Sequence, residues 1–373
     1  MRILDNNLLK QNIETRIKSD LENNNINSAC VLVNQNGKQV YKNYFGSAQE
    51  NSIFRLASMT KPITAVAVMT LYDKGLIDLE DSIEMFLPQF SDVRLAKISS
   101  ENTVSKGDVI KGKLTIKHLL THTSGILNGK SGEIYKSCIT EEENSTLEKT
   151  VDFYANCGLE FEPFSHQEYN ATAAFDLLAR IVEVVSGMDY NDYLTENIFK
   201  PLGMKNTTFV PSSEQWQRII PMHNKVDGKS VLGITYPDCV FEKTPITHYL
   251  GGAGLISTLE DYSAFAEMLL NFGEFGGKRI ISPKAVKLIS TPHVPQEIMP
   301  GRERWGLGVR VIAREDYKLP VGTFGLSGAY GTHFWVDTEN KITAVYLKNS
   351  RFDGGSGAVT ADNFEQDVFN SLI

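Results

Sequence analysis

Strand chemistry is confined to the two ends of this 373-residue chain, and that separation limits the folds open to it. Near the start, Ala29 to Val33 and Gln39 to Phe45 are rich in β-branched and aromatic residues. They flank Asn36-Gly37, a pair suited to the positive φ angles of a tight hairpin turn. Near the end, Gly331 to Val336 and Ile342 to Leu347 have the same character around the turn Asp337-Thr338-Glu339-Asn340. The intervening chain repeats its apolar residues at three and four. Met59 to Lys74 carries Ile63, Val66, Ala67, Thr70 and Leu71 and stops at Gly75, while Thr172 to Ser186 carries Phe175, Leu178, Ala179, Val182 and Val185 and stops at Gly187. Helices are also expected over the opening twenty residues, over Leu259 to Asn271 and over Asn363 to Leu372. Strands at both ends with helices between them imply an α+β chain, one antiparallel sheet built from both termini with helices on each face. The expected organisation is one unit, 1–373, with an α/β half formed by 1–85 and 250–373 and an inserted, mainly helical lobe at 86–249. In that lobe Ser99 to Lys113 and Lys136 to Ser145 read as polar loops.

Composition excludes several classes of function. With 42% hydrophobic and 22% charged residues the chain can bury a substantial core. A formal net charge of -8 without a basic run argues against a nucleic-acid partner. The first twenty residues have no secretory h-region, and no stretch reaches the roughly 18 uncharged residues of a membrane helix. A soluble, cytoplasmic protein with no membrane partner is expected; the oligomeric state is open. Cys30, Cys138, Cys157 and Cys239 are scattered and read as reduced and structural. His166, His223, His248 and His293 lack metal-ligand spacing, so neither a metal nor another cofactor is expected.

The chemistry-bearing feature is Ser58-Met59-Thr60-Lys61, the only S-x-x-K in the sequence, at the start of a strongly periodic helix. Residues three apart share a helical face, so the Lys61 amine can reach the Ser58 hydroxyl, and a helix N-terminus favours a developing oxyanion. A serine hydroxyl needs an adjacent base, and lysine serves only where burial or nearby cations lower its pKa. Phe54, Leu56, Ile63 and Val66 supply an apolar surround. Taken alone, the pattern is far more often that of a helix-capping serine and a solvated lysine.

Neighbouring stretches decide between those readings. Phe54-Arg55-Leu56-Ala57-Ser58-Met59-Thr60-Lys61-Pro62-Ile63-Thr64-Ala65, running into Gly75-Leu76-Ile77-Asp78-Leu79-Glu80-Asp81, resembles the nucleophile segment of the class C β-lactamase and penicillin-binding-protein family. Ile116 to Gly125, with Thr121-His122-Thr123-Ser124, and Gly251 to Thr258, with Asp261-Tyr262, resemble later blocks of that family in its order. Glu168-Tyr169-Asn170-Ala171 resembles its Y-x-N motif, by which Tyr169 would share or relay the Ser58 proton. The motif asparagine is here Ala171, and Asn170 beside it is the candidate replacement for gripping substrate. Leu326-Ser327-Gly328 stands where the family places K-T-G or H-x-G. The resemblance implies a β-lactamase/transpeptidase-like fold and an oxyanion hole made by the Ser58 and Ala329 amides, with Gly328 allowing close approach of substrate.

Leu326 cannot pair with the carboxylate of penicillins or D-alanyl peptides, so the expected partner is a small-molecule acyl substrate, a neutral ester or amide. Leu326, Ser327, Gly328, Tyr330 and Asn170 are the candidate substrate contacts; Trp335 and His333 border them. The expected activity is a carboxylesterase acting through an acyl-enzyme on Ser58. The alternatives are a β-lactamase or D-alanyl-type peptidase, and a non-catalytic binding or sensor protein. Gly107 to Lys113 has phosphate-loop spacing but Leu114 replaces the required hydroxyl residue, and His122 has no G-x-S-x-G elbow to serve.

Overall fold

The computed structural model describes residues 1–227, 229–233, 246–315, 318–350 and 358–373. Helix α1, Asn6–Glu22, starts where Asp5 accepts the Asn7 and Leu8 amide hydrogens at 2.9 and 3.0 Å, and it buries Leu9, Ile13 and Ile17 along one stripe. Strands β1, Ser28–Gln35, and β2, Lys38–Gly46, follow. Asn36 and Gly37 join them with φ of 54° and 69°, the left-handed pair a tight hairpin requires.

β1 does not stay at the edge. It is buried along its whole length because its other side pairs with the strand Ile342–Leu347, Cys30 opposite Leu347 and Gln35 opposite Ile342. The resulting antiparallel sheet has seven strands in the order Glu303–Trp305, Arg310–Ile312, Phe324–Ser327, His333–Asp337, Ile342–Leu347, β1, β2. The period of two sorts its side chains onto two cores. Cys30, Leu32, Leu326, Phe334 and Val345 face the helix Leu259–Leu270 and, beyond it, α2 (Thr60–Asp73). Ala29, Val31, Trp335 and Tyr346 face α1 and the last helix, Val359–Phe369. One antiparallel sheet from both ends of the chain, helices on both faces, is the expected architecture.

Several boundaries differ. α2 is preceded by a 3-10 turn, Ala57–Met59, so Ser58 lies in that turn and not in the α-helix proper. The last helix begins four residues earlier than expected and ends at Phe369. The 86–249 segment is less uniformly helical than its sequence pattern suggested. Arg94–Ile98 pairs with Val104–Val109, inside the stretch read as a polar loop, and His223–Val226 pairs with Lys229–Leu232. The first hairpin has no fully buried residue, so no apolar alternation marked it. Cys30 and Cys157 are buried and Cys138 is exposed, all three as free thiols; Cys239 lies outside the described residues. No helix among the described residues is long and apolar enough to cross a membrane.

Phe334 joins the sheet to the helix that supports α2. It is fully buried, with its ring edge-on to Tyr262 at 5.0 Å, and the Tyr262 hydroxyl donates to the Met59 carbonyl at 2.8 Å. Phe334→Ala should therefore cost about 3–5 kcal/mol of stability, read as a lowered urea midpoint at unchanged slope.

Candidate active site

Ser58 is carried by a short strand–turn–helix passage. Phe54–Arg55 pairs with Ile256–Ser257, and Asn349 fastens the same segment by accepting the Arg55 amide hydrogen at 3.3 Å. Ala57 then adopts φ of 48°, a left-handed conformation that costs a residue with a Cβ some energy. That turn leaves Ser58 half-buried while Ala57 and Met59 are buried.

Lys61 is wholly buried. Its ammonium donates to the Ala171 carbonyl at 2.6 Å, to the Gly252 carbonyl at 2.8 Å and to Ser58 Oγ at 3.3 Å. Three donors meet three acceptors, the condition under which a lysine tolerates such burial. The Tyr169 hydroxyl lies 2.5 Å from Ser58 Oγ, and the Tyr169 ring lies 5.0 Å from Lys61 Nζ. Ser58, Lys61 and Tyr169, expected to act together, are thus one hydrogen-bonded cluster.

The other expected contacts divide. Leu326 is buried on the α2 side of the sheet, and its strand packs against the turn bearing Ser58. Ser327 points the other way: Ser327 Oγ bonds His333 Nδ1 at 2.7 Å, and His333 Nε2 lies 3.0 Å from Glu365 on the last helix. Alternation along the strand decides this, so the Ser327 side chain is not a substrate contact. His333 and Trp335 share that far face, their rings 5.4 Å apart. Gly328 is needed for close approach, but to the protein itself: a Cβ there would sit 2.2 Å from the Leu56 carbonyl oxygen. Thr332 Oγ1 also donates to that carbonyl at 2.9 Å, which ties the turn carrying exposed Ala329 and half-buried Tyr330 to the segment leading into Ser58.

Asn170 does not replace the missing motif asparagine. It is buried, its amide donates to the Ile126 carbonyl at 2.7 Å, and its oxygen accepts from the Thr172 and Ala174 amides, capping the helix Ala173–Ser186. Both ends of its amide are committed inside the protein. Ala171 is exposed and contributes its carbonyl to Lys61.

Three residues at the site were not singled out for it. His122 is buried between Tyr169, Trp305 and Phe175, with ring centroids 4.7, 4.4 and 5.3 Å away. Its Nδ1 accepts the Asn170 amide hydrogen at 3.1 Å, and so it holds the backbone beside Tyr169. Burial pushes its pKa well below the ordinary histidine value, and the charges of Lys61 and Arg310 push it further down. Trp305 stacks on Tyr169 at 5.9 Å and 14°, and nothing in its sequence neighbourhood marked it. Asp176 is fully buried one turn behind the site; burial raises its pKa to about 7, against the opposing effects of Tyr154, Lys61 and the Gly251 and Gly252 amides. A single acid inside the apolar run Ala173 to Leu178 was its available signal.

The Beta-lactamase family model matches residues 13–365. The chain belongs to the Beta-lactamase family. Among curated members, esterase EstB of Burkholderia gladioli is 27% identical, with 89% of this chain and 88% of EstB aligned. A putative D-alanyl-D-alanine carboxypeptidase of Escherichia coli K12 is 25% identical, with 86% and 78% aligned. Among solved structures, EstCE1, a hydrolase with promiscuous acyltransferase activity, superposes with a TM-score of 0.82 at 22% identity, covering 98% of this chain and 99% of its own. The expected family and the β-lactamase/transpeptidase-like fold are those found.

A histidine buried neutral destabilises the fold where the unfolded chain would protonate it. The folded state binds fewer protons than the unfolded one below about pH 6.5, so His122 contributes stability that is present above that pH and lost as pH falls toward its depressed folded value. His122→Asn keeps an acceptor for the Asn170 amide and removes the titration. Thermal melts at pH 7.5 and pH 5 should show a smaller acid-induced drop in this variant than in the wild type.

Proposed function

We propose that this protein is a carboxylesterase that works through an acyl-enzyme on Ser58, with neutral esters or amides as substrates. The observation that carries the reading is the meeting of Ser58, Lys61 and Tyr169 within hydrogen-bonding distance, although Tyr169 is 111 residues from Ser58. In the proposed reaction Ser58 Oγ forms the bond to the acyl carbon while its proton passes to Tyr169. Lys61, bonded to Ser58 Oγ and 5.0 Å from the centre of the Tyr169 ring, favours the phenolate form of Tyr169 as acceptor through its positive charge and shares the proton's movement. The backbone amides of Ser58 and Ala329 hold the tetrahedral oxyanion, which collapses as the leaving alcohol or amine takes the proton. Water then attacks the acyl carbon and gives a proton to Tyr169, and the acid is released as Tyr169 returns that proton to Ser58 Oγ and the acyl–oxygen bond breaks.

Three features support esters over penicillins or D-alanyl peptides. Leu326 offers no cation for a carboxylate. Asn170 is committed to a helix cap, so no amide stands at the second-motif place to grip an acyl-amide. EstB, which aligns with most of this chain, is an esterase. The alternative of a D-alanyl-type peptidase draws on the Escherichia coli relative.

The test is to incubate the protein separately with a fluorophosphonate, benzylpenicillin and p-nitrophenyl butyrate, and to map adducts by mass spectrometry. The expected result is a fluorophosphonate adduct on Ser58, ester turnover that Ser58→Ala abolishes, and no stable penicillin adduct. Turnover unchanged in Ser58→Ala would sink the mechanism, and penicillin labelling without ester hydrolysis would favour a binding protein. Tyr169→Phe should lower kcat on the ester by about 10²–10⁴-fold, the usual range for losing a proton-transfer group.

A further inference from the structure

We propose that Asp176 is a positioning residue that holds the Lys61 ammonium in place through the Gly251–Gly252 turn and supplies a negative charge that offsets its positive one. The inference rests on the reading of Ser58, Lys61 and Tyr169 as the reacting group. Asp176 touches none of the reacting atoms and acts through the turn and through its charge.

The turn is gripped from both sides. On the amide side, Asp176 Oδ1 accepts the Gly251 hydrogen at 3.0 Å. On the carbonyl side, the Gly252 oxygen accepts from Lys61 Nζ at 2.8 Å, and the Gly251 oxygen accepts from Thr64 Oγ1 at 2.6 Å, one helical turn along α2 from Lys61. A carboxylate on the N–H side and an ammonium on the C=O side polarise the peptide groups between them in the same sense, so each bond strengthens the other. The two glycines make the contact possible. A Cβ on Gly251 would lie 2.1 Å from the Phe175 carbonyl oxygen; one on Gly252 would lie 2.6 Å from the Ala171 carbonyl oxygen and 3.2 Å from Lys61 Nζ.

The charges facing Asp176 are few. Lys61 comes from α2, Tyr154 from the helix Leu147–Ala155 donates to Asp176 Oδ2 at 3.2 Å, and the Tyr190 hydroxyl, bonded to Thr64, also feels its field. Lys61 is the only cation among them. A fully buried carboxylate without the full compensation of a direct ion pair is costly, and its pKa of about 7 reflects that cost. A neutral asparagine oxygen would accept the Gly251 hydrogen equally well, so the turn's geometry alone does not require a carboxylate. The charge is what an acid adds. With Asp176 ionised, the buried charge that Lys61 brings to Ser58 Oγ is compensated; with Asp176 protonated, that compensation is lost and acylation of Ser58 slows.

The test is the pH profile of kcat/KM on p-nitrophenyl butyrate, with Ser58 labelling by fluorophosphonate measured in the same variants. The wild type should show an acid limb near pH 7; Asp176→Asn should remain folded by thermal melt, lose on the order of ten- to a hundredfold in kcat/KM at pH 8, and lose that limb. Tyr154→Phe removes a hydrogen bond that favours the ionised carboxylate, so its acid limb should move to higher pH with activity at pH 9 retained. This second variant decides the matter if Asp176→Asn does not fold. A profile superimposable on the wild type in the folded variants, or a rate loss with the acid limb unmoved, would overturn the charge role. Ser58 would still be labelled in either case, so the esterase reading would stand or fall separately, on Ser58→Ala.

Discussion

The site depends on one buried nitrogen. Lys61 lies at 0% exposure, and an ammonium taken out of water is tolerated only if its hydrogens all find acceptors. Those acceptors come from one neighbour and two distant parts of the chain: Ser58 one turn away, the Ala171 carbonyl behind the Tyr169 loop, and the Gly252 carbonyl of the glycine turn. Ser58, the Tyr169 loop and the turn are therefore positioned by a shared need to satisfy the same group. Neither loop can drift without stranding a charge.

Around that nitrogen the protein builds a second layer of buried side chains. His122 fixes the backbone at Asn170, Asn170 caps the helix Ala173–Ser186, and the helix brings Asp176 under the glycine turn. Trp305 backs the Tyr169 ring and lies under the Arg310 guanidinium at 5.0 Å, itself paired with Glu303 at 2.7 Å. This layer runs from the far edge of the sheet to the centre of the helical region. It explains how a phenol that is 38% exposed can still be held 2.5 Å from Ser58.

What could be read from the sequence follows from how local each signal is. The hairpin at Asn36-Gly37, the burial of α2 and the stop at Gly187 depend on residues within one turn of each other, and they appear where the pattern places them. Ser58 and Lys61 share a helical face, and Tyr169 stands in a recognisable motif. The failures are those of long range. That Ser327 faces the last helix depends on strand alternation set by the pairing of Ser327 with His333, and that Gly328 meets Leu56 depends on a contact across 272 positions of chain. Asn170 stands beside the motif place, but whether its amide faced substrate or the helix start was decided by the Ile126 carbonyl and the Thr172 and Ala174 amides. Trp305 lies 136 residues beyond Tyr169 and carried no local mark.

The order of strands in the sheet has a consequence for how the molecule comes into being. β1 is among the first elements synthesised, yet one of its two neighbours is Ile342–Leu347, near the end of the chain. Until that strand arrives, the β1–β2 hairpin presents an open apolar edge, the kind of surface that pairs with other chains. The same late arrival brings the turn at Gly328 to Gly331 against Leu56. A nascent or truncated chain can thus hold Ser58 in the turn before α2 and Lys61 on α2 while lacking the wall that faces them, so the site is complete only once the sheet has closed. Contacts of such separation are slow to form, so closure of the sheet is a late step of folding.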